Sequence, residues 1–353
     1  MLLGSDPSPD GLLASAPTAI TLTFSETVIP VGKAIEVFSP GGQQVAGPAR
    51  AVAHTLTAPI DSTEPGTYVV AWQTLAADTH PSRGAFRFVV GQASSNPYSP
   101  LLSGGEVGTA TPSGFALQAL ARWMHFLGLS LTFGTIAHQL VSVRNPRLRR
   151  LVVAGIALLI AAEPVALVAQ LASLSFDGDT AIAVLGSSFG RLLGLRLGVA
   201  FLVWALLALE SPWPVLGLGG VMALIDGASA HAFPGLPGAG LLVDAVHVAA
   251  MAIWVGGLTA FLFAPDRGFT PYSRGAFVVA IASGLVLALA HLGSPEALVT
   301  TGYGRVLGVK VAVVATILVL FFLPFSTRSR VGLGAAALIL ALAAVLVSLP
   351  PPR

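Results

Sequence analysis

From Phe115 onward the chain repeats apolar runs of about 20 residues, each long enough to cross ~30 Å of hydrocarbon as a helix. Hydrocarbon offers the backbone no hydrogen-bonding partner, so a run that enters it must satisfy its own amides, as a helix does. The runs fall at about 115–142, 151–172, 189–209, 213–232, 240–263, 273–293, 304–325 and 331–349. They predict an all-α polytopic membrane bundle of about eight helices. Composition agrees: 54% of the 353 residues are apolar and 10% charged, against roughly 25% charged in an ordinary soluble chain.

The formal net charge of +2 is too small to favour nucleic acid as a partner. Zero cysteines exclude disulfides, zinc–thiolate sites and thiol chemistry, so any metal must use His, Met, Asp, Glu or a terminal amine. No charged, apolar secretory signal opens the chain. With an outward-facing first domain, the expectation is that the mature protein starts elsewhere than Met1.

Before the apolar runs the pattern changes. Short apolar stretches at 19–24, 34–38, 51–57, 67–72 and 85–90 are broken by Pro and Gly, and Ile20-Thr21-Leu22-Thr23-Phe24 alternates strictly. Alternation puts one face on a core and one in water, predicting an all-β immunoglobulin-like sandwich. The expected organisation is a sandwich over 1–92, a Ser/Gly/Pro/Asn-rich linker over 93–114 and a helical membrane domain over 115–350.

Arg144, Arg147, Arg149 and Arg150 follow the first predicted helix, Arg267 and Arg274 the fifth, and Arg328 and Arg330 the seventh, whereas the alternate loops carry no Arg or Lys. The positive-inside rule makes those basic loops cytoplasmic and the sandwich external. The run from Phe189-Gly190-Arg191 to Arg196 matches that from Tyr303-Gly304-Arg305 to Lys310, and Trp123 to His125 has a counterpart around His247. This suggests two four-helix halves of like orientation.

The first domain carries Leu3-x-Ser5-x-Pro7-x-x-x-Gly11, Leu22-x-Phe24-Ser25-Glu26, Gly66-x-Tyr68-x-Val70-x-Trp72, Asp78-x-His80 and Gly84-x-Phe86-x-Phe88. These motifs resemble the CopC family of copper-binding β-sandwiches. The resemblance implies a Cu(II) site built from an N-terminal histidine with the Asp and His of the D-x-H motif, here Asp78 and His80. The chain departs from that pattern at its start, where Met1 stands and no histidine precedes Leu3. In the apolar region, Asp244-x-x-His247-x-x-x-Met251-x-x-Trp254-x-Gly256-Gly257 resembles the CopD family of copper-resistance membrane proteins. Together they resemble a CopC/CopD fusion. That implies copper ion as the bound species, a cell-membrane location with the sandwich on the periplasmic or extracellular side, and a periplasmic copper chaperone or reductase as partner alongside the lipid bilayer. No enzymatic activity is implied.

Ionisable groups within hydrocarbon cost about 2.5–3.5 kcal/mol each on insertion scales and default to paired or functional status. The candidates are His125, Glu163, Asp226, His231, Asp244, His247 and His291. Asp244, His247 and Met251 share a helix face at spacings of three and four, offering an acid, an imidazole and a thioether; Cu(I) accepts the last two. Met124, His125 and His291 are further candidate ligands. Arg196 and Lys310 need a buried partner, with Glu163 available to one of them. His54 and His138 are expected to be structural. Copper would be moved inward; no Walker motif points to ATP. A second reading is a membrane redox protein holding haem between pairs of His125, His231, His247 and His291.

The orientation is testable because the chain has no cysteine of its own. Cysteines introduced as Ser62→Cys and Asn145→Cys should label oppositely with an impermeant maleimide on intact cells, only Ser62→Cys reacting. Labelling of Asn145→Cys alone reverses the topology.

Overall fold

The computed structural model of the chain describes residues 2–76, 81–103, 111–142, 145–208, 211–229, 233, 236–265, 269–292, 294–320 and 325–349. It separates into two compact units, Met1–Phe115 with Val168–Arg191, and Ala116–Leu167 with Leu192–Arg353.

The strands of the first unit are β1 (Leu2–Asp6), β2 (Leu12–Leu13), β3 (Ala19–Phe24), β4 (Val28–Phe38), β5 (Arg50–Val52), β6 (Thr55–Pro59), β7 (Gly66–Ala76) and β8 (Pro81–Val90). They form two four-stranded sheets, ordered β1-β3-β6-β5 and β2-β8-β7-β4. The expected all-β two-sheet domain is present. Every second residue of β3 and β6 is buried, including Ile20, Leu22, Phe24, Leu56 and Ala58. These side chains meet Tyr68, Val70, Trp72, Phe86 and Phe88 from the other sheet.

The aromatic motifs become packing rules. Trp72 meets Phe24 edge to face at 5.3 Å, and Tyr68 stacks on Phe88 at 4.9 Å. Trp72 pairs with Gly84 across the β7–β8 ladder. A Cβ at Gly84 would come within 2.8 Å of the indole Cζ2, so the glycine of Gly84-x-Phe86-x-Phe88 exists to seat the tryptophan. β4 starts earlier than expected, at Val28, and its register with β7 is interrupted between Pro30 and Ile35. Pro30 has no N–H to give the ladder, and Gly32 has φ +54°, so the strand bends there.

The segment expected as a linker begins on the sandwich. Asn96 is buried, and its amide nitrogen donates to the carbonyls of Phe38 (3.2 Å), Ser39 (2.9 Å) and Thr67 (2.9 Å). Tyr98 stacks on Phe38 with ring centroids 3.8 Å apart. A 3₁₀ turn follows at Ser99–Ser103.

The helices are α1 (Pro112–Leu129), α2 (Thr135–Val141), α3 (Arg149–Ser173), α4 (Gly178–Gly186), α5 (Ser188–Leu206), α6 (Pro212–Ser229), α7 (Pro237–Phe263), α8 (Phe269–Leu292), α9 (Ala297–Thr300), α10 (Gly302–Leu320) and α11 (Phe325–Ser348). Among the described residues, four helical stretches are long and apolar enough to cross a membrane: Pro146–Ser173, Ser188–Leu206, Gly238–Phe263 and Tyr272–Leu292. α1 and α2 are one expected run, joined by a π-helical turn at Ser130–Gly134. At that turn α7 approaches backbone to backbone: a Cβ on Gly256 would overlap the Ser130 carbonyl oxygen and lie 2.8 Å from Gly134 Cα. Gly256 of the Trp254-x-Gly256-Gly257 motif therefore serves helix packing.

The repeated Gly-Arg motif also has a local structure. Gly190 and Gly304 each lie at the start of a long helix, and a Cβ on either would strike a carbonyl of the preceding short helix, Leu185 of α4 or Ala297 of α9. α4 itself lies between the runs expected at 151–172 and 189–209, where no helix was expected. Asp177 nucleates it by accepting the Thr180 amide at 2.8 Å.

Replacing Gly84 with Val should overpack the sandwich core by about 1–3 kcal/mol. Hydrogen–deuterium exchange of β7 and β8 amides in the full chain should speed up accordingly, while amides of α7 and α8 keep their protection. Unchanged exchange in β7 would show that Trp72 does not depend on the glycine.

Candidate functional site: buried polar groups of the helical unit

Four helices contribute to one buried charged cluster. His125 comes from α1, Glu163 from α3 immediately before the in-helix Pro164, Arg196 from α5, and Asp226 with Ser229 from α6. His125, Glu163 and Asp226 are 6%, 2% and 5% exposed, so bulk solvent screens them little. His125 Nε2 lies 2.9 Å from Asp226 Oδ2. Its Nδ1 faces Glu163 Oε1 at 3.3 Å without the alignment of a hydrogen bond. Arg196 donates through Nε to Asp226 Oδ1 at 3.0 Å and through Nη2 to Ser229 Oγ at 2.9 Å, and its Nη2 lies 2.9 Å from the same Asp226 oxygen as an ion pair. Ser229 in turn donates to the Asp226 carbonyl at 2.8 Å.

Arg196 thus finds its counter-ion in Asp226, and Glu163 is turned to His125 instead. The spacing Asp226-x-x-Ser229 places both acceptors on one helical face, which is the sequence signal for this partner. Both ring nitrogens of His125 face carboxylates.

His247 is held differently. Its Nδ1 is 2.9 Å from the Ala280 carbonyl and 3.1 Å from Ser283 Oγ, both on α8. A carbonyl only accepts, so Nδ1 carries the proton and Nε2 presents a lone pair. A metal-binding histidine is commonly fixed in this way by its other nitrogen. Gly284 permits the approach, since a Cβ there would come 2.8 Å from the imidazole Cε1. Ala280, Ser283 and Gly284 lie more than thirty residues from His247 and carry no motif of their own, so pattern reading alone does not reach them.

The remaining candidates lie apart from that bond. Asp244 is half-buried, one turn before His247 on α7. Met251, one turn beyond His247, is half-buried in the apolar cluster of Trp254 and Phe277. His291 meets Phe233 and Tyr303 edge to face at 5.9 and 6.4 Å. Met124 is half-buried next to His125. His138 Nδ1 lies 3.2 Å from the Tyr272 hydroxyl, and His54 is exposed at the turn between β5 and β6. Asp78, His80 and His231 lie outside the described residues. Among the described residues no three of His, Asp and Glu gather as a metal-binding group.

A double-mutant cycle tests the ion pair. Asp226→Leu should destabilise the chain by about 3–5 kcal/mol, because it strands Arg196, whereas Arg196→Leu with Asp226→Leu should recover part of that loss in detergent thermal unfolding. Strict additivity would show that the two groups are not coupled.

Residues 2–91 match the CopC domain family. The copper transport protein CutJ of Bacillus subtilis (strain 168) is 25% identical over 419 aligned positions, covering 99% of this chain and 74% of that protein. Among solved structures, CopC from Methylosinus trichosporium OB3b is 27% identical and covers 28% of this chain and 98% of its own, with a TM-score of 0.25. The copper resistance protein PcoC from Escherichia coli is 28% identical over 26% of this chain and 98% of its own, with a TM-score of 0.22. The sequence motifs of the first unit and the family match cover the same strands, and residues 2–91 are a CopC domain carried ahead of a bundle of apolar helices.

Proposed function

We propose that this chain is a copper-handling membrane protein, in which an external sandwich binds Cu(II) and the helical unit moves copper inward. The observation that carries this reading is the joining, in one chain, of a CopC domain to helices long and apolar enough to cross a membrane. The relative that covers 99% of the chain bears the name copper transport protein, which supports copper as the cargo.

Asp78 and His80 are the proposed Cu(II) ligands of the sandwich, since Cu(II) favours nitrogen and oxygen donors. Within the bundle His247 is the proposed ligand to the moving ion. Its Nδ1 bond to Ala280 leaves Nε2 as a fixed, uncharged donor, and a neutral ligand limits the cost of binding inside hydrocarbon. Asp244 one turn earlier attracts an incoming cation, and Met251 one turn later offers a thioether to Cu(I). His125, with both nitrogens turned to carboxylates, orders the helices around this path.

Cells expressing the full chain should accumulate copper, and His247→Leu should abolish the accumulation. Stability should change little, because leucine suits a helix bundle and the lost partners, a carbonyl and a hydroxyl, keep their intrahelical bonds. Normal accumulation with a lowered unfolding temperature would make His247 a structural group. Copper loss from wild-type cells would reverse the direction.

A further inference from the structure

α4 carries two opposed faces. Thr180 and Val184 are buried, while Ile182 and Leu185, on the opposite side of the nine-residue helix, are 72% and 49% exposed. Phe176, just before the helix, is 70% exposed. The buried face packs on β4 of the sandwich: Gly32, held at φ +54°, has no Cβ, and one placed there would come 2.7 Å from Thr180 Oγ1. The start of the helix is firmly capped. Asp177 accepts hydrogen bonds from Ser175 and from Thr180 Oγ1 as well as the Thr180 amide, and these bonds, that from Ser175 foremost, hold its carboxyl below the usual carboxylate range.

The chain on either side states where this helix must lie. Pro146–Ser173 and Ser188–Leu206 are both candidate spans, and only 174–187 joins them. Nine helical residues extend about 14 Å, under half of the ~30 Å hydrocarbon thickness. The two spans therefore end on the same side, with α4 between them at the membrane boundary. A short helix there with aliphatic side chains turned outward fits the interface between headgroups and acyl chains.

We propose that α4 is an interfacial anchor: Phe176, Ile182 and Leu185 insert into the lipid surface, and the opposite face holds the sandwich. The sandwich is then fixed to the membrane surface through a lipid-bound helix. The proposal goes beyond the copper reading and stands without it; it rests on the spans being transmembrane.

The absence of native cysteine allows single nitroxide labels in the full-length protein, reconstituted in phosphatidylcholine–phosphatidylglycerol vesicles. Labels would be attached to Ile182→Cys, Leu185→Cys, Asp179→Cys and, as a lipid control within the α8 span, Leu285→Cys. Power saturation should show the labels at 182 and 185 colliding preferentially with oxygen, as at 285, and the label at 179 with a water-soluble nickel chelate. Preference for nickel at both 182 and 185 overturns the proposal, as does shelter from both reagents, which would mean a protein partner covers the face. If 285 also fails to prefer oxygen, the spans themselves are not in lipid and the anchor falls with them. If 285 prefers oxygen and the α4 labels do not, only the anchor falls.

Discussion

The helical unit depends on one electrostatic constraint: an arginine inside an apolar bundle has to be neutralised where it stands. Arg196 is only one-fifth exposed, and its guanidinium reaches Asp226 from a different helix. A carboxylate that is 95% buried cannot be left with one bond, and His125 supplies the second. Glu163 then closes the group from a fourth helix. Each partner makes the next one affordable, and the result fixes the relative placement of α1, α3, α5 and α6 more specifically than leucine contacts between helices would.

Close packing carries the rest of the unit, and glycine is its instrument. Gly128 and Gly155 bring α1 against α3, with a Cβ on Gly128 coming 2.8 Å from the Gly155 carbonyl oxygen. Gly134 and Gly256 do the same for α2 and α7, at the point where the first helix relaxes into a π turn. Lipid gives no hydrophobic drive for such contacts, so they form only where backbones can approach closely. The same geometry brings α8 near enough for the Ala280 carbonyl to fix the tautomer of His247. Gly256 of the Trp254-x-Gly256-Gly257 motif belongs to this packing.

What was legible in the sequence followed from period and cost. The alternation of Ile20, Leu22 and Phe24 states which face is buried, and the long apolar runs state where helices stand. The need of Arg196 for a partner was legible too, as a desolvation argument. Its identity was not: Glu163 and Asp226 are both buried acids on other helices, and only the relative rotation of α3 and α6 decides between them. α4 escaped for the opposite reason. Ala181-Ile182-Ala183-Val184-Leu185 is too short to register as a span and too apolar to read as a turn, and its helix depends on the cap at Asp177. The proton position on His247 is set by a residue thirty-three positions away, beyond any local pattern.

The three carbonyls gathered by Asn96 have a consequence for how much chain lies between the sandwich and the first helix. Because the chain is tied down through Ser103, only 104–110 separates the docked segment from Thr111, whose hydroxyl donates to the Ala172 carbonyl at 2.7 Å. Seven residues drawn out fully reach about 25 Å at most. On so short a leash the local concentration of one part around the other is set by covalent geometry.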